Sequence, residues 1–371
     1  VYGSEDAGNA SYENGRRYLP PNNIAQLLNH GYGYEYRDPE LQGTFYSMRR
    51  FDGTVKIRGG AGNSNDIIDV YRDFATNEIV AAIDVGIDVN DTGPTHAFVS
   101  RFPVTSVASI NIEGFGGADR VTINSNIGIP VTLDLGAGDD RVVVRGKGLG
   151  IGGAAVDVNV VGSDDGVDTL ELFNERTGDN INVDSTGLTS TGGFNIAALD
   201  NFEHLVINTH FGQNDIRMVR ANTFQTFTVN ANPQGGVIHL NELAGAPVRV
   251  NGSNQADTLR LRWSGNGFVS TNVLFFGNSG ADTLELSNGD LGRVTGRVDF
   301  SPGLGQDQII FNDQNSIITS AQYQLGTDSF RVIDAFTDLF HTFGDTEIVR
   351  VRGDSGANTF TVAPARPPAA A

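Results

Sequence analysis

The chain contains no cysteine among its 371 residues, which excludes disulfides and thiol chemistry. It is poor in lysine: only Lys56 and Lys147 appear among 25 basic residues, set against 44 acidic ones, for a net charge of −19. Such a surface repels nucleic acid phosphates and anionic lipid head groups, so neither is an expected partner, and cations are. No stretch approaches the ~18 to 20 consecutive apolar residues of a membrane span. No Gly-x-Ser-x-Gly element and no phosphate-binding glycine loop occur. The histidines His30, His96, His204, His210, His239 and His341 are scattered, and the one close pair, His204 and His210, lacks a dependable metal-ligand spacing.

What the chain does have is 47 glycines and an internal repeat. The unit reads apolar-x-apolar-x-Gly, a short polar stretch, then Asp-x-apolar-x-apolar. Clear copies run from Ile110 to Ile123, Val158 to Leu172, Val250 to Leu261 and Val273 to Leu286. Looser copies run from Val55 to Val70, Val131 to Val144, Leu205 to Val219, Val229 to Leu240, Val298 to Phe311 and Val349 to Val362, with Gly236 and Asn358 standing where others have Asp. Measured at that position, neighbouring copies lie mostly 21 to 28 residues apart. The intervals from 66 to 119 and from 307 to 358 are about two periods each, and each is expected to hide a coil whose pattern has decayed.

Both arms of the repeat have period two and carry Val, Ile, Leu and Phe, the pattern of short half-buried strands. A simple hairpin would leave ~10 residues per period without a place, so the expected fold is all-β, a parallel β-solenoid of about a dozen coils. Residues 53–362 form the solenoid in this reading. Residues 1–52 lack the repeat, hold seven of the nine tyrosines, and form an N-terminal cap or assembly segment. Within it, Asn22 to Gly31 carries helix start and stop signals. Residues 363–371 form a Pro/Ala-rich tail. A solenoid has two open ends, so copies of the chain joined head to tail are the expected partners.

Once-per-coil aspartates should form a ladder. Two unit charges ~4.8 Å apart in water repel by roughly 0.9 kcal/mol, so the ladder needs cations, arginines or solvent. The candidate residues are Asp66, Asp119, Asp139, Asp140, Asp164, Asp165, Asp168, Asp257, Asp282 and Asp307. Two roles are open to them: holding Ca²⁺, the cation that suits an all-oxygen site, or capping the turn backbone, as Asp and Asn do alike. The turns Gly59-Gly60-Ala-Gly62-Asn-Ser-Asn-Asp66, Gly136-Ala-Gly138-Asp139-Asp140 and Gly162-Ser-Asp164-Asp165-Gly166-Val-Asp168 resemble haemolysin-type calcium-binding repeats. That resemblance implies a secreted bacterial β-solenoid protein of the surface-layer, matrix or adhesin kind, with Ca²⁺ between successive turns. This chain departs from the family's nine-residue period, and most copies lack its second glycine.

Parallel β-helices also include polysaccharide lyases, hydrolases and epimerases. The nearest approach to an enzyme's cluster is Asp139, Asp140, Asp164 and Asp165 with Arg141, Arg145 and Lys147, where paired carboxylates could act across a glycosidic bond. Motifs resembling the polygalacturonase set, Asn-Thr-Asp, Gly-His-Gly and Arg-Ile-Lys, do not occur. Arg352-Gly353-Asp354 matches an adhesion tripeptide, but Gly353 is the repeat glycine. The expected function is therefore a non-catalytic extracellular or cell-surface structural protein that self-assembles. A carbohydrate-active enzyme or a module binding cell-surface glycans is the alternative.

Overall fold

The computed structural model describes residues 11–13, 16–18, 46–60, 64–85, 98–146, 156–160, 166–174, 178–184, 187–191, 193–197, 199, 202–210, 212–219, 224–316, 321–333, 338–344, 346–356 and 358–362. Among them the fold is all-β, with only short 3₁₀ turns beside the strands. The helix expected between Asn22 and Gly31 and the tail at 363–371 lie outside the described residues. The chain divides into two compact units, one holding residues 1–123, 129–140 and 161–166, the other holding the rest.

In the first unit the two arms of each repeat enter different sheets. The strands Thr54–Arg58, Ser109–Glu113 and Val131–Asp134 pair in parallel, with Tyr46–Arg49 antiparallel on the outer side of Thr54–Arg58. The partner arms Asp66–Asp73 and Arg120–Asn124 pair in parallel in a second sheet. Stacking is register-true: Val55, Ile110 and Val131 align, as do Ile57, Ile112 and Leu133, and all six are buried. Each such side chain contributes roughly 1.5–3 kcal/mol by leaving water. Ser11–Glu13 and Arg16–Tyr18 form a separate antiparallel pair.

The second unit repeats the scheme at greater length. One sheet carries Gly212–Met218, Gly236–Asn241, Asp257–Arg262, Thr283–Leu286, Gln308–Asn312 and Ile348–Arg352 in parallel succession. The other carries Arg141–Arg145, Thr169–Phe173, His204–Asn208, Thr226–Asn230, Val248–Asn251, Val273–Phe276 and Val298–Ser301. Leu259, Leu284 and Ile309 form one buried column and Val250, Phe275 and Phe300 another, with the two phenyl rings stacked 5.1 Å apart.

The two long intervals do not hide decayed coils. Between Asp66 and Asp119 the chain runs out and back through Glu78–Val85 and Phe98–Pro103, an antiparallel meander on Asp66–Asp73. The second long interval holds another, through Gln322–Leu325, Ser329–Ile333 and Asp338–Phe343, after which Ile348–Arg352 pairs directly with Gln308–Asn312. A third, Asn180–Asp184, Gly187–Ser190 and Phe194–Ala197, separates two neighbouring strands of the other sheet, Thr169–Phe173 and His204–Asn208. Alternating apolar residues serve hairpin and parallel strands equally, so periodicity does not distinguish a decayed coil from a meander.

Leu284 points into the core and Glu285, its neighbour, points out. Leu284→Asp places an unpaired charge there and is expected to cost several kcal/mol, whereas Glu285→Gln should stay within ~1 kcal/mol. Thermal melts followed by circular dichroism check this, and equal melting points would contradict the register.

Candidate functional site

The repeat aspartates begin or immediately precede their strands, and their backbone position fixes their role. Asp66, Asp119, Asp140, Asp168, Asp257, Asp282 and Asp307 are all at most 2% exposed. In the first unit the backbone N–H of Asp66 donates to Asp119 Oδ1 (2.9 Å), and the N–H of Asp119 donates to Asp140 Oδ1 (2.7 Å). Each carboxyl thus receives the amide of the preceding turn. The other oxygen folds back on its own turn: Asp66 Oδ2 accepts the Gly60 N–H at 2.6 Å and the Ser64 hydroxyl at 3.3 Å.

The second unit has a ladder of the same chemistry on the other sheet. The N–H of Asp257 donates to Asp282 Oδ1, that of Asp282 to Asp307 Oδ1, both at 2.8 Å, and that of Asp307 to Glu347 Oε2 at 2.7 Å. Asp257 Oδ2 accepts both the N–H and the hydroxyl of Ser253. A shorter run begins at Asp168, whose N–H donates to Glu203 Oε2 at 2.8 Å. Asp168 and Glu203 precede strands of one sheet, whereas Asp282, Asp307 and Glu347 precede strands of the other, and Asp257 itself begins such a strand. The expected single ladder is therefore more than one, because the Gly-turn-Asp element moves from one sheet-to-sheet crossing to the other along the chain.

The repeat glycine and aspartate are a matched pair. A Cβ on Gly59, Gly114 or Gly277 would collide with the Oδ2 of Asp66, Asp119 or Asp282 respectively. Only glycine leaves room for the carboxyl to close over the turn.

Burial governs the electrostatics of these groups. It pushes Asp119 up to about 8, with the charges of Asp140 and Asp66 adding to the rise and the Asp66 N–H opposing it. Burial likewise pushes Asp282 up to about 7 and raises Asp257. Among the described residues, Oδ2 of Asp119 and Asp282 is buried without a hydrogen-bond partner, which suits a neutral carboxyl better than an anion.

The remaining candidates fall elsewhere. Asp139 is exposed beside buried Asp140, and Asp164, Asp165 and Lys147 lie outside the described residues. Arg141 makes an ion pair with Glu171 at 2.5 Å, so it is engaged in a sheet-surface contact. Asp215, which the spacing aligned with the repeat aspartates, sits three positions into its strand beside His239, its Oδ1 2.7 Å from His239 Nδ1; Gly212 is the residue in register with Gly236. Asn358 caps its turn by donating to the carbonyls of Asp354 and Gly356. Among the described residues no three Asp, Glu or His side chains converge as a metal-binding group.

One arrangement escaped the sequence reading. Asn251 Nδ2 donates to Asn230 Oδ1 (2.8 Å), Asn230 Nδ2 to Asn208 Oδ1 (2.9 Å), and Asn208 Nδ2 to Glu171 Oε1 (2.9 Å). This amide ladder follows the outer surface of the second unit's other sheet. Its signal was an Asn closing the first arm of three successive repeats, at 208, 230 and 251. No family model, curated protein or solved structure matches the chain.

The raised carboxyls set a direction for pH dependence. A group whose folded value lies above its unfolded value of ~3.9 contributes stability fully present below that value and lost as pH rises through the folded one. For Asp119 and Asp282 that window runs from about pH 4 to about 7 or 8. The melting temperature should therefore fall between pH 5 and pH 9, and Asp119→Asn with Asp282→Asn should flatten the fall. A wild-type melting temperature that rises across this range would contradict the assignment.

Proposed function

We propose that the chain is a non-catalytic, extracellular structural protein, in which the repeated strands of each unit wind as a parallel β-solenoid and the last strands join a second copy. The observation that supports this is an open edge. Ile348–Arg352 ends one sheet and Thr359–Val362 the other, so each is paired on one side only among the described residues. Phe360 and Val362 are 51% and 67% exposed, and Val349 and Val351 are only half-buried. A strand edge with apolar side chains and unpaired backbone groups invites another strand.

The chemistry-bearing aspartates support the same reading. Their carboxyls are taken up by turn amides, so their role is to fasten one turn to the next. Calcium asks for six to eight oxygen ligands around one centre, whereas these carboxyls are spread along the strand stack and face N–H hydrogens. We therefore assign them to backbone capping. A saturating chelator should shift the melting temperature by less than about a degree, since a cation held only by the folded state would stabilise it by mass action. A larger loss would restore the calcium role.

Assembly is tested at the edge. Light scattering at rising concentration should show association of the wild-type chain, and Val351→Lys with Val362→Lys should return it to monomers while circular dichroism melts stay within a few degrees. Wild-type protein that remains monomeric at high concentration would overturn the assembly reading.

A further inference from the structure

The net charge of −19 conceals a basic strip. On the second unit's sheet that runs from Gly212–Met218 to Ile348–Arg352, alternate residues take the outward side, His239 and Ile310 being covered by their neighbours, and register aligns them into rows across the strands. The first row is Asp215, His239, Arg260, Glu285, Ile310 and Arg350. Beside it, Arg217, Asn241 and Arg262 align, and Asn312 aligns with Arg352. Five arginines therefore share one face with Asp215, Glu285 and the flanking Glu242. Glu242 is bound by Arg217, and Glu285 by Arg260 (3.0 Å) and more loosely by Arg352 (3.9 Å). Asp215 is bound by His239 and Gln213. Each acid is thus satisfied, while Arg262 and Arg350 carry no ion pair among the described residues. The next row is Gln213, Val237, Thr258, Thr283, Gln308 and Ile348, in which four of the six side chains donate and accept hydrogen bonds.

We infer that this face binds a linear polysaccharide bearing carboxylates. Five inter-strand steps of ~4.8 Å spread the arginines over roughly 24 Å, a span suited to a polymer rather than a small anion. The guanidinium fork matches a carboxylate in two parallel hydrogen bonds, and the amide and hydroxyl row suits sugar hydroxyls. The overall negative charge does not forbid this. At physiological ionic strength charges beyond ~8 Å are largely screened, so the ligand responds to the strip itself, where five arginines outnumber Asp215, Glu285 and Glu242, more than to distant acids. The strip ends on Ile348–Arg352, the strand that also forms the open edge, whereas Arg262 stands three strands in from it, so the Arg262 variants test the strip apart from assembly.

Native gel electrophoresis of the full chain through polygalacturonate, with dextran as neutral control, tests the inference. Polygalacturonate should retard the wild type at low salt, dextran should not, and the effect should vanish near ~1 M salt, where the screening length is ~3 Å. Arg262→Ser should weaken retardation several-fold, and Arg262→Ser with Arg350→Ser about tenfold or more, with unchanged circular dichroism melts because neither has an ion pair among the described residues. Arg262→Lys, which keeps the charge and loses the fork, should fall between. Absence of wild-type retardation, equal retardation of wild type and double variant, or equal retardation by dextran would each overturn it. So would loss of self-association in the double variant with no response to polygalacturonate in either protein, which would give the strip to a second copy of the chain.

Discussion

The hydrogen bond from the backbone amide at one turn to the carboxyl at the next holds the repeats in register. A parallel stack has two recurring weak points, the crossings where the chain leaves one sheet and enters the other, because amides there fall outside the strand ladders and must be satisfied by something else. A buried carboxyl takes the amide of the preceding turn on one oxygen, and in Asp66 and Asp257 it also takes an amide of its own turn. The glycine beneath it, the aspartate itself and the apolar residue two positions on then follow as one requirement, which is why they recur together.

That solution places acids inside a protein already rich in them. Burying a charged carboxylate is costly, and the rise of Asp119 and Asp282 toward neutrality shows the cost relieved by holding a proton. Formal charge counted from composition therefore overstates the negative charge the surface presents near neutral pH. It also averages over faces of opposite character, as the arginine rows beside Glu285 show.

Strand positions and their buried faces were legible because Val, Ile, Leu and Phe at period two leave few alternatives. Val250, Leu259 and Leu284 lie in the core as their pattern implies. The same signal was blind to direction, so the strands Glu78–Val85 and Ser329–Ile333, which run antiparallel, could not be told from a further coil. Spacing alone also misaligned Asp215, since a three-residue offset keeps the interval near one repeat while moving the side chain from the turn to the sheet surface. Asn208, Asn230 and Asn251 were visible as a recurrence, but their partnership depends on neighbouring strands standing in register, which no single repeat encodes.

The meanders have a consequence for how the chain reaches its native state. Asp119 and Asp140 meet across 21 residues, whereas Asp66 and Asp119 meet across 53. Loop-closure entropy makes the longer contact dearer by about 0.8 kcal/mol, and the intervening hairpins must first find their own antiparallel partners. Growth from one turn to the next is thus a local event within a run of repeats and a long-range event across each excursion. The excursions divide the molecule into kinetic segments, and a nascent chain can complete one segment while the next is still being made.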